Sequence, residues 1–191
     1  MARPKSEEKR SAILESAIAI FAERGLAAPT SAISSEAGVA EGTLFAYFAT
    51  KDDLLNTLYR EIKRDLADSM MAGFPRKKSL RERLRHVWNA YITWGLEQQA
   101  AHRVLQQLDV WGGLTAESRE AGVAPFLEIK ALAELALEQR ILRPMPFDFL
   151  GAVFASMAEV TMETVRKNPG DAEASQALGF EILWAGVTRK K

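Results

Sequence analysis

The 191 residues contain no cysteine. That excludes a disulfide framework, a thiolate metal site and a cysteine nucleophile together. Histidine is scarce: His86 and His102 stand sixteen positions apart, without the spacing of metal ligands. No glycine-rich phosphate loop, nucleophile elbow or paired-carboxylate motif is present, so the parts of an enzyme are missing. Neither sign of charge prevails, because 25 Lys and Arg balance 25 Asp and Glu. The overall field therefore argues neither for nor against nucleic acid. The longest uncharged run, Phe149–Ala158 between Asp148 and Glu159, has ten residues. A membrane-spanning helix needs about 20. Glu7, Glu8 and Glu15 interrupt any signal-like apolar segment near the start. The expectation is a soluble, cytoplasmic protein with no membrane partner, no metal and no cofactor.

Strand patterns are nearly absent, and helical periodicity runs almost throughout. Ile13, Leu14, Ala17, Ile18 and Phe21 form a stripe that Gly25 ends. Leu54, Leu55, Leu58 and Ile62 mark a later helix, begun near Thr50 with Asp52 and Asp53 in its first turn and ended by Phe74-Pro75. Ser79 caps the next, with Leu80, Leu84, Val87, Trp88 and Tyr91 on one face. Thr115 opens another segment, in which Pro125 predicts a kink or a restart. Pro144 and Pro146 precede a long helix, and Asn168-Pro169-Gly170-Asp171 is a turn whose aspartate can cap the last one. The fold class is all-α.

The segment from Gly25 to Thr50 departs from this plan. Its pattern predicts two helices of about two turns each: one introduced by Pro29-Thr30-Ser31 and running to Ala37, the other starting near Gly42. Gly38 supplies the left-handed turn between them, and Val39 plugs the core beneath it. This is a helix-turn-helix with the second helix as reader. Helices this short do not stand alone in water, so their long neighbours must hold them.

The stretch AGVAEGTLFAYFATKDDLL (37–55), preceded by ILESAIAIFAERG, resembles the N-terminal DNA-binding domain of the tetracycline-repressor (TetR) family of bacterial transcriptional regulators over roughly residues 10–60. The resemblance implies a helix-turn-helix domain over 1–52 and a helical bundle over 53–191 that binds a small-molecule effector and dimerises. It implies a homodimer on a double-stranded DNA operator, most often a repressor that the effector releases. By the same resemblance, Thr30 or Ser31 meets a phosphate, Gly42 and Thr43 lie against the DNA backbone or bases, and Tyr47 and Lys51 hold phosphates on either side of the reading helix; Glu41 and Leu44 are further DNA-binding candidates on that helix. The family often has Ser or Thr where Ala40 stands and Tyr where Phe45 stands, so two hydroxyl contacts are missing here.

Plainer roles compete for several of these residues. Leu44, Phe45 and Phe48 have the spacing of core residues. Glu41 has two competing roles: favouring the positive end of its short helix, or accepting from a cytosine amino group. Residues 1–64 hold nine basic and nine acidic side chains. DNA affinity must then come from the placement of a few charges, with Arg3, Lys5, Lys9 and Arg10 as a supplementary arm. The basic run Arg76–Arg85 reads as a solvated helix start.

Residues 147–165 and 178–187 are apolar on nearly all sides, which demands burial on all sides. A second copy of the chain is the natural cover, placing Phe154, Met157, Thr161, Leu178, Ile182 and Ala185 in a dimer interface. Trp88, Tyr91, Trp111, Phe126 and Met157 are candidate liners of a pocket for an apolar or aromatic, uncharged ligand. Two other readings stay open: a DNA-binding protein of this fold that ignores ligands, and a small-molecule-binding helical protein or enzyme.

Overall fold

The computed structural model describes residues 6–189; Arg3 and Lys5 of the basic arm lie outside them. Helices carry the chain: α1 (Glu7–Arg24), α2 (Thr30–Glu36), α3 (Glu41–Tyr47), α4 (Lys51–Met71), α5 (Leu80–Glu97), α6 (Gln99–Asp109), α7 (Ala116–Val123), α8 (Leu127–Glu138), α9 (Phe147–Lys167) and α10 (Ala172–Val187). Among the described residues the only β-type pairing is an isolated bridge between Leu142 and Thr188. No helix there is long and apolar enough to cross a membrane.

Two compact units result. One gathers the chain up to Asp65 with Gln98–Ala124, the other Leu66–Glu97 with the chain from Pro125 onward.

In the first unit, α1 packs on both α6 and α2, and α2 on α3. Ile13, Leu14, Ala17, Ile20 and Phe21 are buried, while Ile18, assigned to the stripe by spacing, is half-exposed. The α1–α2 and α1–α6 contacts widen the buried arc toward Ile20. Gly25 ends α1 with its N–H on the Phe21 carbonyl at 3.0 Å. Thr50 caps α4 by accepting the Asp53 N–H at 3.0 Å, and the Asp53 carboxylate accepts the Ala49 N–H at 3.1 Å. Asn56, buried in α4, donates to the carbonyls of Asp52 and Gly113 and accepts the Thr115 N–H. One amide thereby ties α4 to the turn that opens α7. Thr115 caps α7 through the Ser118 N–H, as its position predicts.

In the second unit, α9 packs on α10 and on α5, and α5 also meets α8 and α10. Ser79 and Glu82 form a reciprocal cap on α5: the Ser79 N–H and hydroxyl donate to the Glu82 carboxylate, and the Glu82 N–H donates to the Ser79 hydroxyl. Those bonds hold the Glu82 carboxyl below its usual pKa. Trp88 is fully buried, with its indole N–H on the Gln176 carbonyl at 3.0 Å. Gly179 allows that approach, because a Cβ there would stand 2.3 Å from the Thr161 hydroxyl and 2.8 Å from the Trp88 ring. Pro125 sits in a short 3-10 turn (Ala124–Phe126) from which α8 restarts. Asp171 differs from expectation: it precedes α10 but makes no side-chain cap bond, since Pro169–Asp171 already form a 3-10 turn. In the basic run, Arg81 and Arg85 both pair with Glu181, and Arg76 pairs with Glu128.

Candidate nucleic-acid interface and apolar cavity

The α2–α3 pair turns at Gly38, where φ is +63° and a Cβ would meet nothing within 4 Å. Backbone conformation alone therefore selects glycine at this position. Leu44 is fully buried, Phe48 nearly so, and Val39 half-buried. They hold α3 onto the domain. The opposite face of α3 presents Glu41, Gly42, Phe45 and Ala46 to solvent, with Thr43 half-exposed. Phe45 is 41% exposed, a large apolar ring on the outer face of a short helix.

Not every residue expected to face DNA is exposed. Leu44 points inward, and its part is to anchor the reading helix. No side chain caps α2: Pro29 takes the cap position, and Thr30 becomes the first helical residue. The Thr30 hydroxyl instead donates to the Glu41 carboxylate at 2.8 Å, joining the starts of α2 and α3. Ser31 is exposed. Glu41 stands in the first turn of α3, where its charge favours the positive helix end. The Thr30–Glu41 bond was not legible from spacing, because the two residues are eleven apart and only the Gly38 turn brings them together.

Tyr47 and Lys51 both bond within the chain. The Tyr47 hydroxyl accepts the Ser6 N–H at 2.7 Å and donates to the Ser6 carbonyl at 3.1 Å, fastening the start of α1 to the end of α3. Lys51 donates to the Ala28 carbonyl at 2.7 Å and lies 5.7 Å from the Phe21 ring centroid. Partial burial pushes its ammonium pKa below the usual lysine value, against the Asp52 carboxylate that raises it. Of the basic arm, Lys9 is exposed, whereas Arg10 pairs with Glu61 at 2.8 Å.

The second unit contains a partly open apolar cavity of about 160 Å³. Its walls come from α5 (Leu84, Val87), α8 (Ile129, Ala133), α9 (Phe147, Leu150, Gly151, Phe154) and α10 (Phe180, Leu183, Trp184, Val187), with Met70 and Leu142. None of the five residues named as pocket candidates lines it. Trp88 and Tyr91 stand edge-on to Phe154, with centroids 5.4 and 5.3 Å away. Met157 and Phe126 are half-buried elsewhere in that unit, and Trp111 belongs to the first unit, with its ring against Gly113. The liners Phe180 and Trp184 stack at 6.0 Å. Both belong to the segment 178–187, whose apolar character on nearly all sides does not show which of its faces borders a space.

The residues assigned to a dimer interface divide. Leu178 (61%), Ile182 (52%) and Ala185 are exposed on α10, and Val160 (61%) is exposed on α9. Phe154 and Met157 are half-buried, while Thr161 is buried and donates to the Met157 carbonyl at 2.8 Å.

Residues 13–58, the span of α1 to α4 just described, match the family of bacterial regulatory proteins, tetR family. The fatty acid metabolism regulator protein of Bacillus subtilis (strain 168) is 26% identical over 200 residues, covering 93% of this chain and 95% of that protein. Among solved structures, a TetR family transcription regulator from Marinobacter aquaeolei VT8 superposes with a TM-score of 0.87 at 22% identity, over 96% of this chain and 97% of that one. A fatty acid degradation regulator from Bacillus halodurans superposes with a TM-score of 0.72 at 19% identity, over 95% and 97%. An outward-facing reading helix, set on a core by Leu44 and turned at Gly38, thus sits in a chain of matching fold along nearly its whole length. Residues 13–58 thus match the DNA-binding part of the tetR family of bacterial regulatory proteins, and the chain as a whole has the fold of the TetR family regulators it superposes on.

Proposed function

We propose that the protein is a ligand-responsive repressor that binds a two-fold symmetric operator as a homodimer and leaves it when a small apolar effector enters the second unit. In this reading, residues 1–52 bind DNA and residues 53–191 bind the effector and dimerise. The observation that carries it is the cavity: an apolar space of about 160 Å³ in a chain whose other unit is a DNA-binding domain. Supporting the dimer are Leu178 and Ile182, one turn apart on α10 and more than half exposed, with Val160 on α9. Exposed apolar clusters of this kind are interaction surfaces. The helix α4 begins at Lys51, beside the Ala28 carbonyl, and Met70 near its other end lines the cavity.

Ligand response is tested by measuring operator affinity of the full chain with and without candidate apolar effectors. The reading expects at least a tenfold loss of affinity, with thermal stabilisation by the same compound. Stabilisation without any change in affinity would leave a DNA-binding protein whose cavity is not a sensor.

Glu41 gives a second test. Glu41→Gln keeps an acceptor for the Thr30 hydroxyl but removes the charge that phosphates repel. Binding to every DNA sequence should strengthen together, several-fold at low salt, with a slightly lower melting temperature. A loss of discrimination of about 1–3 kcal/mol at one symmetric pair of operator positions would instead assign Glu41 to a cytosine.

A further inference from the structure

The chemistry of the cavity narrows what it can hold. Its lining contains no charged residue and no hydroxyl or amide side chain; four aromatic rings and a set of aliphatic groups face the space. A carboxylate or other ionised group moved into such surroundings loses its hydration and receives nothing in return. Cations stand next to three of those rings, each paired with a carboxylate; Lys130 lies 5.9 Å from the Phe147 ring centroid and pairs with Glu134 at 3.9 Å. Arg81 lies 5.7 Å from the Trp184 ring centroid and Arg85 4.8 Å from that of Phe180, and Glu181 pairs with both guanidiniums. An anionic head group approaching these two arginines would have to compete with the exposed Glu181 carboxylate, which pairs with both.

Size is a second constraint. A closed apolar cavity of about 150 Å³ takes benzene; the space inside this one is about 160 Å³, and it opens on one side. Phe147 marks the side of access, since it lines the cavity and is 39% exposed in the first turn of α9.

Resting on the sensor reading above, we infer that the effector is a neutral arene or hydrocarbon of single-ring size without an ionised head group, and that a long-chain acyl amphiphile does not fit. This separates the chain from what the name of its Bacillus subtilis relative suggests. Recognition here works by shape and desolvation, so a series of small arenes should bind with affinities graded by fit rather than by hydrogen-bonding groups.

The experiment uses the full-length protein and three probes: toluene, benzoate and hexadecanoate. Toluene at ten times its Kd should raise the melting temperature by about 3–6 °C and shift the tryptophan emission through Trp184. Benzoate, the same ring with a charge, and hexadecanoate should bind at least a hundredfold more weakly. Ala133→Leu, a substitution at a buried position of α8 that lines the cavity, should weaken toluene at least tenfold while the protein stays helical. Leu150→Phe, on α9, serves the same purpose if the first variant fails to fold. Benzoate or hexadecanoate binding more tightly than toluene, with the filled variants abolishing it, would overturn the inference. So would a toluene response that neither filled variant reduces. Toluene binding that both variants suppress, without any effect on operator affinity, would uphold the ligand class and overturn the sensor reading alone.

Discussion

Ile182→Glu should convert the proposed dimer to a monomer and lower operator affinity by about 10²–10⁴-fold, the scale lost when two linked binding events become one. Ile182 is 52% exposed on α10, so the protomer itself has little to lose: a carboxylate on an exposed helix face changes stability by about 0.5 kcal/mol or less. In a dimer the same carboxylate would be buried against Leu178, Val160 and their counterparts without a partner, at a cost of several kcal/mol. Sedimentation at micromolar concentration measures the outcome, with far-ultraviolet circular dichroism to confirm retained helix. A native chain that already sediments as a monomer would contradict the dimer, as would a variant that stays dimeric with unchanged affinity.

Leu44→Ala should have the largest effect on the DNA-binding domain. Leu44 is the one buried residue of the seven-residue α3, and its side chain is fully buried. Truncation removes about 2–5 kcal/mol of stability. Because so short a helix depends on that anchor, operator affinity should fall by more than the global stability alone implies. Phe45→Ala is the control. That ring is 41% exposed, so its removal should leave the melting temperature nearly unchanged. Chemical denaturation of both variants, read beside DNA binding, separates anchor from surface. Equal stability losses in the two would contradict the assignment of faces on α3.

The parts of this protein that were legible in its sequence are those set by local chemistry. Gly38 needs a positive φ, Thr115 and Ser79 cap the helices that follow them, and the spacing of Ile13, Leu14, Ala17 and Phe21 fits a single buried stripe. What escaped depends on groups far apart in the chain. The resemblance implies phosphate contacts for Tyr47 and Lys51; it does not reveal that both also bond to backbone groups of distant residues, Ser6 and Ala28. The Thr30–Glu41 bond needs the turn between its partners. The cavity escaped for a related reason. Its walls come from five helices and Leu142, none of which looks unusual alone, whereas the tryptophan that stands out in α5, Trp88, is fully buried and bonded to Gln176. Periodicity tells which face of a helix is covered, but not whether the cover leaves a space.

The account rests on sequence-specific DNA binding by two copies of α3, and selection of DNA by the purified full-length chain from a random duplex library tests it most directly. The predicted result is one enriched site with two-fold symmetry. Its half-sites should lie about 34–36 Å apart along the duplex, or slightly more, each read by one copy of α3. An enriched site without symmetry, or no enrichment above input at moderate salt, would contradict it.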